Sequence, residues 1–262
     1  METVSSSQTV IINSSESQQV SRQFSASGKT SLTVVIEGDR KLDLSLEITA
    51  QQGSSLTFML INHNEAEVSL RDTFSLQADS SSVIAYCQLN DHQLNVQSSY
   101  SLDGQGAVLK VQNAVLTSVS KKFEQNTLHS QGNTRADIYN YGIARSSGYC
   151  DFEVKNRINK GCHGCETHQT SRILTFDPQS KGRILPVLYI DDNDVKASHA
   201  ATMGQPDSEQ IFYMQTRGLT RQQAMRLITI GYLMPVTEVI DDEELNSLLK
   251  KEIETKVSEC LK

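Results

Sequence analysis

Between Ser31 and Leu76 apolar and polar residues alternate. Leu32, Val34 and Ile36 are followed by Leu42, Leu44, Leu46 and Ile48, then by Leu56, Phe58 and Leu60. Val68 with Leu70 and Phe74 with Leu76 continue the series. Successive side chains of a strand point to opposite faces, so each run predicts a short strand with one inner face. Glu37-Gly38-Asp39 and Gln52-Gly53-Ser54 read as turns, and a spacing of about ten to twelve residues suits a sandwich, a barrel or a β-solenoid. Weaker strands are expected over Val108 to Val111, Val115 to Val119, Ile138 to Tyr141 and Phe152 to Val154. Gln112, Asn113, Asn126 and Asn133 fall where solenoid corners or exposed faces would lie. Ile184 to Ile190 is the most apolar run, and Pro186 within it cannot donate to a ladder, so an edge or a bend is expected there. No amphipathic helical period occurs between Ser31 and Asp191. That absence suits a solenoid, whose coils stack without helices between strands, although a jelly roll fits the pattern nearly as well.

The Ser- and Gln-rich residues 1–28 hold one apolar cluster, Val10 to Ile12, and are expected as a flexible arm or an edge strand. After Gly204 the period becomes helical. Asp207 caps a first helix, with Gln210 in capping-box position and Gly218 at its end. Thr220 with Gln223 repeats the device for a helix from Arg221 to Tyr232, and Pro235 marks its end. Asp241 with Glu244 starts a third, on which Leu245, Leu248, Leu249, Ile253 and Val257 make one apolar stripe. That stripe either folds back on the β core or serves as a docking surface.

The 262 residues allow one sizeable core with a small appended domain. A charged fraction of 21% and a hydrophobic fraction of 37% are ordinary for a soluble globular protein. A net charge of −7 argues against a nucleic-acid partner, whose phosphates need clustered Lys and Arg. No signal-peptide pattern opens the chain, and no apolar run approaches the roughly 20 residues that span a bilayer. A cytoplasmic protein without a membrane partner is expected. In that compartment Cys87, Cys150, Cys162, Cys165 and Cys260 read as thiols or ligands rather than structural disulfides.

The most distinctive local chemistry is Gly161-Cys162-His163-Gly164-Cys165-Glu166-Thr167-His168. Two cysteines three apart can aim both sulfurs at one soft metal or cluster across a tight turn, and the glycines permit that turn. His163, Glu166 and His168 are further donors close by. A redox pair of the thioredoxin kind lacks its βαβ context, haem attachment lacks a His after Cys165, and a zinc ribbon lacks a second close cysteine pair. A partial site completed by distant residues or a second subunit remains, as does a pair of packed thiols. Ser198-His199 is not a hydrolase dyad, since neighbours on an extended segment face opposite ways. No Walker A loop is present, so any ATP use belongs to a partner.

The segment from Asp191 carries a resemblance. An acidic turn, Asp191 to Asp194, leads to Ser198-His199-Ala200-Ala201-Thr202, then Gly204-Gln205, then Glu209-Gln210-Ile211-Phe212-Tyr213 and Arg217-Gly218. This order resembles the C-terminal signature of the SufB/SufD family, scaffold subunits of the SUF iron–sulfur cluster assembly machinery. The resemblance covers about the last half of the chain. It implies a mainly β fold, a right-handed parallel β-helix (solenoid) core over residues 29–203. Residues 1–28 are then an N-terminal arm and residues 204–262 a small α-helical, partner-binding tail. It implies a non-enzymatic scaffold that holds an iron–sulfur cluster transiently, with His199 at the assembly interface. Neither subunit type's usual pattern supplies Cys162 and Cys165, which enter through their own spacing; with His199 they are the expected ligands, and Cys150, Glu166 and His168 are in reserve. The expected partners are a SufC-like ABC-type ATPase, a second SufB/SufD-like subunit in a homodimer or heterodimer, a sulfur donor and client apoproteins. Phe212, Tyr213, Met214 and Gly218 are the residues expected to serve ATPase docking. The chain departs from SufD-type relatives at Ala197, where many carry Cys. It departs from SufB-type members at His199-Ala200, where they carry His-Glu, and at Ser171 or Arg172, where they carry Cys. It therefore looks closer to SufD, and as a short chain it would suit a reduced scaffold working as a homodimer. The alternatives are an accessory SufD-type subunit that binds no cluster and, from another class, a zinc-dependent or thiol enzyme on a β-sandwich.

Overall fold

The structure, a computed structural model, describes residues 1–237, Ile240 and 243–260. Its strands are β1 Glu2–Val4, β2 Ser7–Asn13, β3 Gln19–Ala26, β4 Lys29–Glu37, β5 Leu42–Ala50, β6 Ser55–Asn62, β7 Val68–Leu76 and β8 Ser81–Gln88. They continue as β9 Leu94–Leu102, β10 Val108–Thr117, β11 Ser120–His129, β12 Arg135–Ala144, β13 Tyr149–Ile158, β14 Cys165–Thr175, β15 Lys181–Ile190 and β16 Val195–Gly204. Helices α1 Ser208–Thr216, α2 Arg221–Leu233 and α3 Glu243–Cys260 follow, with a single 3-10 turn at Met234–Val236.

Odd-numbered strands form one eight-stranded sheet and even-numbered strands another, every neighbouring pair being parallel. One strand from each sheet makes a coil, so the core is a parallel β-solenoid and neither a jelly roll nor a sandwich of antiparallel strands. The repeat is longer than the expected ten to twelve residues: β4 to β9 begin at Lys29, Leu42, Ser55, Val68, Ser81 and Leu94, one every 13 residues. A coil of two strands is 26 residues there, with Leu42 opposite Val68, and coils then lengthen, with Arg135 opposite Glu166 and Cys150 opposite Gly182, 31 and 32 residues on. The middle strands that read as weak are full-length for the same reason. Their inward positions carry Asn, Gln and Thr, which break the apolar alternation without breaking the ladder.

Residues 2–26 do not hang off this core. They form β1 to β3 at its first end, with Val4, Ile12 and Phe24 buried and the Ser and Gln side chains mostly outward.

Inward side chains fill the solenoid. On β5 Leu42, Leu44, Leu46, Ile48 and Ala50 are buried and alternate with exposed or half-buried neighbours. Phe58, Phe74, Tyr86 and Tyr100 pack ring on ring with centroids 5.2–6.2 Å apart. Further along, the interior turns polar: Asn113 Nδ2 donates to Asn140 Oδ1 at 2.5 Å, and Asn140 Nδ2 donates to Ser171 Oγ at 3.0 Å. Gly142 leaves room for the facing side chains, since a Cβ there would meet Cys150 Sγ at 2.7 Å.

The outer face of the even sheet is also apolar over Met59, Ile61, Ala85, Cys87, Ala114, Leu116 and Ile143. The helical tail covers it with Leu233, Val236, Ile240, Leu249, Ile253 and Val257. Of the two readings of the apolar stripe, folding back is therefore the one seen; Leu248, 50% exposed, lies outside the contact. Tyr232 meets Tyr141 edge to face at 5.8 Å, and His63 Nε2 lies 2.9 Å from Glu252 Oε1. Thr220 and Gln223 form the expected capping box of α2. Asp207 caps α1 through Glu209 N alone rather than through a reciprocal box with Gln210. α2 ends at Leu233, as Pro235 marks, and the proline sits at the start of the separate 3-10 turn that follows, where a missing N–H matters least. Asp241, expected to cap the third helix, lies outside the described residues. Among the described residues no helix is long and apolar enough to cross a membrane.

Candidate functional site

Cys165 opens β14 and Cys162 lies in the turn before it, where Gly164 takes a φ of +71°. Both thiols are buried, Cys162 at 4% exposure and Cys165 at 0%, packed with Ile158 and Val195. Each S–H points back at the preceding coil: Cys162 Sγ is 3.5 Å from His129 O and Cys165 Sγ 3.2 Å from Gln131 O. Thr134 Oγ1 stands between Cys165 Sγ, at 3.1 Å, and His129 Nδ1, at 2.7 Å. The backbone of the same turn points forward to the next coil, through Gly161 N to Asp192 Oδ2 at 2.9 Å and Gly164 N to Asp194 O at 2.7 Å. Burial pushes the Cys162 thiol up, away from the thiolate that metals and clusters require.

The other expected donors are dispersed. Glu166 is held between Arg135 and Lys196, with the Lys196 pairing the main reason its carboxyl is held down. His168 Nδ1 lies 2.7 Å from Ser198 Oγ on the outer face of the even sheet. Cys150 is buried in the solenoid interior, where desolvation raises its thiol far above the usual range. His199 pairs with Gln169, whereas Cys165 pairs with Val195, four positions earlier on β16. At a rise of about 3.3 Å per residue that separation is about 13 Å, too far for one ion to bridge. Among the described residues no three His, Cys, Asp or Glu side chains converge to hold a metal.

His199 has a different setting. Register puts it at the end of an inward column that runs Ile84, Val111, Ile138, Gln169, His199. The first four are buried, and His199 is exposed because no further coil covers it. Nearly all of β16 is exposed, and Leu185, Tyr189, Ile190 and Met203 stand 37–54% exposed on the last coil. β15 and β16 are also the terminal strands of their sheets, so each presents one unpaired row of N–H and C=O groups. Pro186 lies on β15, the edge position expected for it.

Three buried titratable groups escaped the sequence reading. Asp72, Lys121 and His129 all occupy inward positions. Asp72 Oδ2 accepts from Tyr86 Oη at 2.8 Å while Oδ1 has no partner, and burial raises its carboxyl to about 7. Lys121 Nζ donates to Gln88 O, Asn90 O and Asn90 Oδ1 at 2.6–3.0 Å, while burial lowers it to about 7. Burial lowers His129 to about 4, so it is neutral at neutral pH, and its Nε2 has no partner. Their signal was a polar residue at an inward position, readable only after strand register is known.

The model of the SufBD core domain of the SUF system for FeS cluster assembly matches residues 4–232. The iron–sulfur cluster assembly protein SufD of Bacillus subtilis is 30% identical over 138 residues, 53% of this chain and 32% of the relative. SufD of Escherichia coli K12 is 28% identical over 156 residues, 58% of this chain and 36% of the relative. An iron–sulfur cluster assembly SufBD family protein of Mycobacterium tuberculosis H37Rv is 31% identical over 130 residues, 48% of this chain and 15% of the relative. The matched stretches thus span little more than a third of these relatives at most.

Proposed function

The chain belongs to the SufB/SufD family of the SUF system, and from that membership we propose that it is a scaffold on which an iron–sulfur cluster is built and from which it passes to client apoproteins. The observation that carries this reading is the uncapped last coil, where His199 ends an inward column between two edge strands with unpaired backbone groups. Such an edge accepts another strand-bearing subunit by main-chain pairing, either a second copy or a SufB/SufD-like relative. His199 would face that subunit at the seam, so iron and sulfide, the cargo, would be held between two chains. Movement of one chain against the other then releases them.

The movement is assigned to a SufC-like ABC-type ATPase on the helical tail. Phe212 and Tyr213 support this assignment, because they stay 68% and 58% exposed while Ile211 beside them is buried. Met214 follows them on α1, and Gly218 lies just past the helix's C-cap, Arg217. ATP hydrolysis and sulfur delivery belong to partners, and the cytoplasm is the compartment that suits reduced thiols.

Anaerobic reconstitution with iron and sulfide tests the reading on the wild type, His199→Ala and the Cys162→Ala/Cys165→Ala double variant. The expected result is equal iron and acid-labile sulfide in the wild type, most of it lost in His199→Ala and retained in the double variant. Loss in the double variant instead moves the site to the buried pair, with Glu166, His168 and Cys150 in reserve. If none loads unless a SufB-like partner is present, the chain is the accessory SufD-type subunit, a reading favoured by the lack of three converging donors among the described residues.

A further inference from the structure

The Cys162–Cys165 turn is the middle layer of three stacked turns. Below it lies the turn 129–134, to which both sulfurs point and to which Asn133 N is tied through His163 O at 2.8 Å. Above it lies the turn 191–194, held by Gly161 N and Gly164 N and by His163 Nδ1, 3.1 Å from Asp192 Oδ1. β16, with His199, leaves from that upper turn. The two cysteines end a four-residue turn, and turns of that kind bring their end Cα atoms within about 7 Å, inside the reach of a disulfide after small adjustment. No third donor converges on them among the described residues, so the pair has the layout of a dithiol rather than of a closed metal centre.

We propose that Cys162 and Cys165 form a reversible dithiol–disulfide pair, oxidised by peroxide, whose state sets how tightly the last coil is fastened. Cys162, 4% exposed against 0% for Cys165, is the sulfur that peroxide reaches first, and it reacts in the fraction of molecules that have lost its proton against the upward push of burial. It attacks one peroxide oxygen, the O–O bond breaks, and the departing hydroxide takes the thiol proton and leaves as water. Cys165 then attacks the sulfenic sulfur, the S–O bond breaks, and the second hydroxide leaves as water with the Cys165 proton. Thr134 Oγ1, in contact with Cys165 Sγ and backed by His129 Nδ1, gives that proton a route off the sulfur. Two thiols lose two electrons and one peroxide becomes two waters.

The disulfide removes both S–H donors to His129 O and Gln131 O and draws the turn's ends together. The amides of Gly161 and Gly164, which the same turn aims at Asp192 and Asp194, move with it. Oxidation therefore loosens the 191–194 turn and the start of β16. This inference does not depend on cluster binding and is tested without metal.

The intact protein is treated with graded hydrogen peroxide and mapped by peptide mass spectrometry, with hydrogen exchange followed over residues 159–204. The expected result is a Cys162–Cys165 disulfide at doses that leave Cys87 and Cys150 reduced, with exchange over 191–196 rising several-fold and falling again on reduction. Cys162→Ser and Cys165→Ser, as alternative controls, show no rise. The proposal is overturned if the pair stays reduced until the chain unfolds. It is equally overturned if the disulfide forms and exchange over 191–196 does not change.

Discussion

Asp72 is a carboxyl that the solenoid interior keeps from water, with one oxygen on Tyr86 and the other unpaired. Its proton is held to about pH 7 in the folded chain, against an ordinary value of 3.8. A raised folded pKa favours the native state fully below the unfolded value, and that stability is lost as pH rises through the folded one. Asp72→Asn removes the decline. Thermal melts should show the variant more stable than wild type by a few kcal/mol at most at about pH 8, with the gap closing toward about pH 4. Parallel pH profiles for the two proteins would refute the assignment. Lys121 presents the opposite risk. Its three acceptors call for a full set of ammonium hydrogens, so Lys121→Met strands Gln88 O, Asn90 O and Asn90 Oδ1. Denaturant titration should show a loss of roughly 1–3 kcal/mol for each buried acceptor left unpaired. Neither residue stood out in the sequence, because a lone Asp or Lys in a polar strand looks like a solvated face.

At the scale of elements, the helices were legible and their destination was not. Thr220 and Gln223 announce α2 because a capping box is local chemistry. Thr220→Ala should cost about 1 kcal/mol, read from the same titrations. The apolar stripe of α3 likewise follows from its period, yet either a partner or the chain's own core could cover it. The deciding signal lay in the strands: the unbroken runs Met59-Leu60-Ile61 and Ala85-Tyr86-Cys87 mark strands buried on both faces. Ile253, fully buried against that outer face, is the test residue. Ile253→Ala should destabilise by roughly 2–5 kcal/mol and raise proteolysis of the tail before that of the core. Uniform cleavage of tail and core together would show that the two unfold as one unit. Pro235 was legible for the same reason as the capping box: α2 ends at Leu233, two residues before a proline whose ring and missing N–H cannot continue an α-helix.

The whole molecule is a stack with unequal ends. At the first end short β1 and half-exposed β2 taper the solenoid, whereas the last coil ends full-width on β15 and β16. An edge of that length, with Met203 54% exposed beside Ala201, is a surface that natural proteins usually cover or charge. If the rim is the seam between subunits, Ala201→Asp with Met203→Lys should convert an assembled species to monomer in sedimentation experiments, with the melting temperature nearly unchanged. Persistence of the assembled species would place the contact elsewhere.

The alternating runs, the turn glycines, the capping residues and the ordered motif from Asp191 to Gly218 determined a β chain with a helical tail and its family. All of these are local, set within a few residues by backbone sterics and side-chain period. Parallel stacking decided the rest. It carried His199 to the end of an inward column and kept it about 13 Å from Cys165 by strand rise. It set His129 and Thr134 beneath two buried thiols, and it folded the tail onto the even sheet. Those neighbours lie about thirty residues or more apart in the chain, and only the pairing register of the coils brings them together.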